Sequence, residues 1–287
     1  MSGSPPVFVM GATGRVGGAI VEVLTERGVP VRAAVRAEER IAEMPGVEPV
    51  RFDLLDPGTW APAVGGARRM FVMWPPGTSP SEHVFPFVDA AAAGGVQRAA
   101  FLSVLGADRM GFLPHHKVEE HLLSSTMSTV LLRSGYFFQN FTSMHRDDIR
   151  LRDEICLPSG NGHISMVDVR DVAEAAVAGL LDRRDDVAWD LTGPEALNMD
   201  DIAATLTKVL GRTVTNRNPG IVRFVRSQAA QHTPWGLTLF MIAEYTHARL
   251  GLAGRLGDGV QEALGRPPRS FEVFASEARE CWDRQRC

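Results

Sequence analysis

Gly11, Gly14 and Gly17 recur at every third position in the segment Gly11-Ala12-Thr13-Gly14-Arg15-Val16-Gly17, directly after the short apolar run Val7–Met10. Glycines in this pattern suit one task, which is to let backbone amides close around a diphosphate. The first permits a tight turn, the second lets the main chain approach the phosphates, and the third lets a helix lie close to the preceding strand. Val16, Ile20, Val23 and Leu24 fall on one face of a helix that ends at Gly28. Its start offers N–H groups and a partial positive charge to an anion, with Thr13, Arg15 and Val16 completing the loop. A strand before and a helix after distinguish a dinucleotide loop from an ordinary turn. The next strand is expected over Val29–Val35 and leads into Arg36, and Arg40 follows about one helical turn later. A site for a bare ribose carries an acid there, whereas a guanidinium suits a 2′-phosphate. The expected cofactor is therefore NADP(H). Asp53, closing the run Val50–Asp53, can accept from the adenine amino group or cap the turn that starts at Leu54.

These residues need a scaffold, and the chain supplies one. Further apolar runs at Met70–Met73, Ala99–Leu102 and Val130–Leu132 alternate with helical stretches at Val84–Ala93 and Val118–Ser124. Such alternation predicts right-handed crossovers and a parallel sheet, and the unbroken apolar character of the runs predicts a sheet covered on both faces. The fold class is α/β: a doubly wound parallel sheet (a Rossmann fold) with a smaller, mainly helical C-terminal substrate lobe. The boundary is read near Gly135, where aromatic residues cluster and a loop follows. Residues 1–135 with about 163–190, including the helix Val169–Leu181, form the cofactor domain. About 136–162 and 191–287 form the lobe.

The 287 residues are 45% hydrophobic and 22% charged, with a formal net charge of −4, and no run of basic residues offers a nucleic-acid track. Three widely spaced cysteines give neither a metal pattern nor a disulfide framework, so no metal is expected and a reducing, cytoplasmic setting is the default. No apolar run approaches the roughly 20 residues that span a bilayer, so no membrane partner is expected.

Taken in order, Gly11–Gly17, Val31–Arg36, Phe52-Asp53-Leu54, Ala90–Val96, Leu102–Gly106, Arg133–Asn140, Val167–Ala173, Leu191–Glu195 and Leu264–Phe271 resemble the NmrA-like branch of atypical short-chain dehydrogenases over about residues 7–280. The resemblance implies a nicotinamide cofactor and either reductase activity or a regulatory role without chemistry. Standard short-chain dehydrogenases use Ser, Tyr and Lys, the last two on one helix with three residues between them. Ser103 stands where the Ser belongs. The branch carries Lys or His four residues before a Glu, and Glu119 in Val118-Glu119-Glu120-His121-Leu122 sets the register, which puts His115 in the site and Gly111 at the Tyr position. The usual Tyr and Lys are both absent. A second register would use Lys117, but residues two apart on a helix point roughly 200° apart, so only one of the two can face the cofactor. His115 can alternatively pair with Glu119 one turn on.

The chain has 2 tyrosines. Tyr136 follows the sixth strand, at the end of the sheet where ligands bind, and is the surrogate phenol. Trp74, after the fourth strand, is similarly placed. Phe137, Phe138 and Asn140 complete a wall, and Trp235 with Phe240 and Met241 forms a lid or packs in the core. Such a pocket suits a small hydrophobic molecule: a quinone, enone or polyketide-like ring. The function expected is an NADP(H)-dependent oxidoreductase, catalytic through His115, Tyr136, Ser103 or Lys117 and working as a monomer or homodimer. The rivals are an NADP(H) sensor without catalysis and an isomerase or cyclase on the same scaffold.

Overall fold

Seven parallel strands carry the cofactor unit in the computed structural model, which describes residues 4–36, 44–75, 77–182, 186–230, 233 and 235–284. Along the chain these are β1 (Val7–Val9), α1 (Arg15–Glu26), β2 (Val31–Val35), β3 (Val47–Arg51), α2 (Trp60–Val64), β4 (Arg69–Met73), α3 (Phe85–Ala93), β5 (Arg98–Val104), α4 (Pro114–Leu123) and β6 (Ser128–Ser134). The chain then forms β7 (Tyr136–Phe137), α5 (Arg146–Arg152), β8 (Glu154–Ile155) and β9 (Ile164–Val167), and returns through α6 (Val169–Leu181) and β10 (Val187–Leu191). It continues as β11 (Ala196–Leu197), α7 (Met199–Leu210), β12 (Thr215–Asn216), α8 (Ile221–Ala230), α9 (Trp235–Arg249), α10 (Gly259–Leu264) and α11 (Phe271–Glu277).

Residues 1–134, 169–191 and 258–266 make the first compact unit. Its strand order is β3-β2-β1-β4-β5-β6-β10, with every neighbouring pair parallel. The order reverses between β1 and β4, and ligands in open α/β sheets bind beyond the carboxyl ends of the strands at such a point. The third strand begins and ends earlier than its apolar residues suggest. It is an edge strand with only Val50 buried, and by Asp53 the chain has entered a turn closed by Thr59. Helices α2, α3 and α4 pack over an aromatic cluster in which Phe87 meets Phe8, Phe52 and Trp60 edge-on or tilted at centroid distances of 4.9–5.9 Å. Burying each such ring fully is worth roughly 1.5–3 kcal/mol, so this cluster anchors that face. On α6, a Cβ at Gly179 would come within 2.7 Å of Val130, which brings the helix backbone close to β6. Arg98 uses that approach to donate to the Gly179 carbonyl at 2.7 Å.

Residues 135–168, 192–257 and 267–287 make the second unit. Strand β9 pairs with β7 and β11 there, so the chain rejoins the first unit at Val169, where the sequence suggested about 163. The segment holding α10 also belongs to the first unit. The second unit's core gathers Phe138, Phe141, Phe271, Phe274 and Trp282. Helix α7 starts at a reciprocal cap: Asn198 accepts from the Asp201 amide, and Asp201 accepts from the Asn198 amide. Among the described residues no helix is long and apolar enough to cross a membrane, and no group of three or more His, Cys, Asp or Glu could hold a metal ion.

Candidate functional site

The loop between β1 and α1 is built on contacts that only glycine allows. Gly11 has a φ of +65°, and its carbonyl accepts from the Gly14 amide at 2.8 Å. At Gly17 a Cβ would overlap that same carbonyl, so the first turn of α1 is drawn directly against the loop backbone. Gly14 is the N-cap in extended conformation, offers no side-chain cap, and is followed by no acidic residue in the first turn. Helix N–H groups and the positive end of the helix dipole are thereby presented at the sheet's switch point. Thr13 and Arg15 are exposed beside it, while Val16 points into the core. A diphosphate fits this cradle. Arg36 follows β2 and is exposed, as a ligand-facing guanidinium needs to be. Arg40 lies outside the described residues. Asp53 organises its own turn: its Oδ1 accepts from the Leu55 amide at 2.9 Å, and its carbonyl accepts from the Trp60 indole at 3.1 Å.

Beyond the carboxyl ends of β4 and β5, Trp74 and His115 meet edge to face with ring centroids 5.1 Å apart. The Trp74 indole N–H donates to the Thr78 carbonyl at 3.0 Å, which fixes the ring's orientation. His115 also lies against Phe101 at 6.3 Å. Burial among these rings lowers its pKa from 6.5 to about 4, against the opposing pull of the Glu119 charge. Lys117, two residues along α4, is exposed.

Glu119 is 2% exposed, and both its oxygens are occupied. Ser103 Oγ donates to Oε1 at 2.5 Å, Arg133 Nε donates to the same oxygen at 3.1 Å, and Arg133 Nη2 donates to Oε2 at 2.6 Å. Asp108 stands 3.9 Å from Arg133. The carboxylate considered as a partner for His115 is thus engaged by Ser103 and Arg133, and it reaches His115 only through its field. Arg133 was visible in the sequence only as the first residue of a family-like segment.

A depressed histidine pKa has a definite sign. Between pH 6.5 and about 4 the unfolded chain takes up a proton that the folded chain refuses. The stability contributed by neutral His115 is therefore complete above about pH 6.5, falls as the pH drops, and levels off below about 4. We expect the imidazole resonance of His115 to titrate near pH 4 by NMR, and His115→Phe to flatten the acid limb of urea-measured stability. An ordinary midpoint near 6.5 would contradict the burial seen here.

In the second unit the two tyrosines come together. Tyr136 Oη lies 2.8 Å from His145 Nε2 and 3.1 Å from Tyr245 Oη, and all three residues are buried. Burial, reinforced by Tyr136 and the neighbouring Glu244, pushes the Tyr245 hydroxyl well above its ordinary range. Burial also raises the Glu244 carboxyl to about 7. His145, Tyr245 and Glu244 carry no local motif, and the scarcity of tyrosine was their one signal in the sequence. Phe138 is a core residue packed on Phe271 and Phe274. Phe137 and Asn140 are half-buried. On α9, Thr238, Met241, Tyr245 and Ala248 form the buried stripe, and Trp235 is 62% exposed. The Phe240 side chain lies outside the described residues.

Comparison with known proteins places these features in context. The sequence profile of the NmrA-like family matches residues 4–225. The NAD(P)H azoreductase of Xenophilus azovorans is 29% identical over 94% of this chain and 96% of its own. Agroclavine dehydrogenase of Claviceps fusiformis is 30% identical over 96% of this chain and 98% of its own. Among solved structures, Citrobacter sp. triphenylmethane reductase complexed with NADP(H) superposes with a TM-score of 0.83 at 21% identity, covering 95% of this chain and 99% of that one.

Proposed function

Since the chain belongs to the NmrA-like family, we propose that it is an NADP(H)-dependent reductase of flat, hydrophobic, conjugated acceptors. The observation that carries this reading is the phosphate loop at the sheet's switch point, closed by Gly11 and Gly17 with no side-chain cap on Gly14, with Arg36 where a ribose-binding acid would stand. Gly11 to Gly17 would hold the diphosphate, and Arg36 the 2′-phosphate. The bound cofactor would supply the hydride, so the protein's part is to position both reactants and exclude water. Trp74 and His115 provide an aromatic surface at the strand ends where the acceptor would lie. Two of the relatives named above, an azoreductase and a triphenylmethane reductase by their names, support conjugated acceptors over aliphatic ones.

Calorimetric titration tests the cofactor assignment. The expected result is tighter binding of NADPH than NADH by at least about tenfold, the worth of one charge-assisted contact. Arg36→Asp should reverse that order. Equal affinities in the unaltered chain would contradict the role given to Arg36.

A further inference from the structure

Helix α9 is apolar almost all round: between Trp235 and His247 its one charged residue is Glu244. A helix of that composition is ordinarily covered on every side. Here Thr238, Met241, Tyr245 and Ala248 direct one stripe into the core of the second unit, while Trp235, Leu239 and Ala243, spaced four apart, line an exposed face. Glu244, nine positions after Trp235, stands roughly 180° away from that face. Helix α8, which contacts α9 in the same unit, adds two more exposed aliphatic side chains, Ile221 at 40% and Val222 at 67% exposure.

The charge of this hairpin has one sign. Residues 202–257 carry seven Lys and Arg against a single acid, Glu244, in a chain whose net charge is −4. Lys208, Arg212 and Arg217 are paired with Glu272, Asp153 and Glu154. Arg223, Arg226 and Arg249 are exposed and form no ion pair among the described residues. A second copy meeting this face across a two-fold axis would set the patch against itself, arginine toward arginine. An anionic bilayer has the complementary chemistry, because it takes Trp and Leu into the headgroup boundary and offers phosphates to the guanidinium groups. We propose that the α8–α9 hairpin docks the protein on anionic lipid bilayers, with Val222, Trp235 and Leu239 entering the interface and Arg223, Arg226 and Arg249 meeting the headgroups. The expectation of no membrane partner rested on the lack of a spanning run, whereas a helix lying in the interface needs only an apolar face and a basic flank.

The test is sedimentation of the full chain with vesicles of phosphatidylcholine alone or with about 30% phosphatidylglycerol, the second supplying a negative surface potential. The protein should bind the anionic vesicles at least about tenfold more tightly than the neutral ones, and added salt should weaken that binding. Trp235 is the one exposed tryptophan, so its emission should shift to the blue on binding and be quenched by lipids brominated on their acyl chains. Arg223→Glu with Arg226→Glu should weaken binding to the anionic vesicles about tenfold or more, and so should Val222→Ser with Leu239→Ser. All four side chains are exposed, so the urea midpoints of both variants should stay where they are. Binding to neither vesicle, or equal binding to both that ignores salt and the arginine variant, would overturn the proposal. A dimer that Val222→Ser with Leu239→Ser dissociates, in a chain that binds no vesicle, would give this face to a second copy and overturn it too. None of these readouts involves the cofactor, so the reductase reading stands or falls separately.

Discussion

Gly17→Ala is expected to abolish NADPH binding and to destabilise the cofactor unit by about 1–3 kcal/mol or more, the cost of forcing a methyl into a filled space. The sign is informative because alanine in a helix interior normally stabilises by up to about 1 kcal/mol relative to glycine. At Gly17 that gain is outweighed, since the new Cβ would overlap the Gly11 carbonyl and the backbone of the phosphate loop would have to open. The neighbouring glycine is the control. A Cβ at Gly18 meets the Ala12 carbonyl at 3.4 Å, an ordinary contact. Gly18→Ala should therefore keep cofactor binding and leave stability unchanged or slightly raised. Urea unfolding and NADPH titration on both variants decide the matter. Equal behaviour of the two would mean that α1 does not depend on close approach at Gly17.

The second large effect is expected at Arg133. Its guanidinium is the cation paired with Glu119, whose side chain is 3% exposed. Arg133→Met leaves that carboxylate buried beside Ser103 alone, and removing one partner of a buried pair typically costs about 3–5 kcal/mol. Removing both charges is a different change. Glu119→Gln with Arg133→Met keeps an acceptor for Ser103 and strands no ion, so much of the loss should return. A double-mutant cycle in urea measures this directly. Additive losses in the double variant would show that the pair contributes nothing as a pair. Ser103 keeps an acceptor in both variants, but the group it donates to is no longer held by Arg133, so cofactor affinity should be read alongside stability.

The fold was legible because its signals are local. Runs such as Val7–Val9 and Met70–Val72 are apolar throughout, as strands covered on both faces must be, and the helices between them carry 3.6-residue periodicity. The close backbone approach in the loop between β1 and α1 was legible for the same reason, since its glycines are close in sequence as well as in space. Where a signal weakened, so did the boundary. The third strand is an edge strand with mostly exposed residues, and its apolar pair Val50 and Phe52 pulled the expected range toward the turn at Asp53.

The polar clusters could not be read in this way. Tyr136 and Tyr245 are 109 positions apart, and only the tertiary fold of the second unit puts their hydroxyls 3.1 Å from each other. Glu119 set the register of α4 in the sequence, yet its partners come from β5 and β6 and have no spacing rule. Helix α10 returns to the first unit because Gly259 lies against the Asp190 backbone, where a Cβ would sit at 2.7 Å. A lone glycine in a helical stretch gives no sign of such an approach.

Hydride transfer itself is best followed with NADPH carrying two deuterons on the reactive nicotinamide carbon, incubated with a conjugated enone, which takes hydride at carbon, and analysed by mass spectrometry of the product. A reductase built on this site should place a single deuterium on carbon in the product, in step with cofactor oxidation. An unlabelled product, or a chain that binds NADPH tightly and transfers nothing to any conjugated acceptor, would contradict it and point to a sensor or a scaffold for isomerisation.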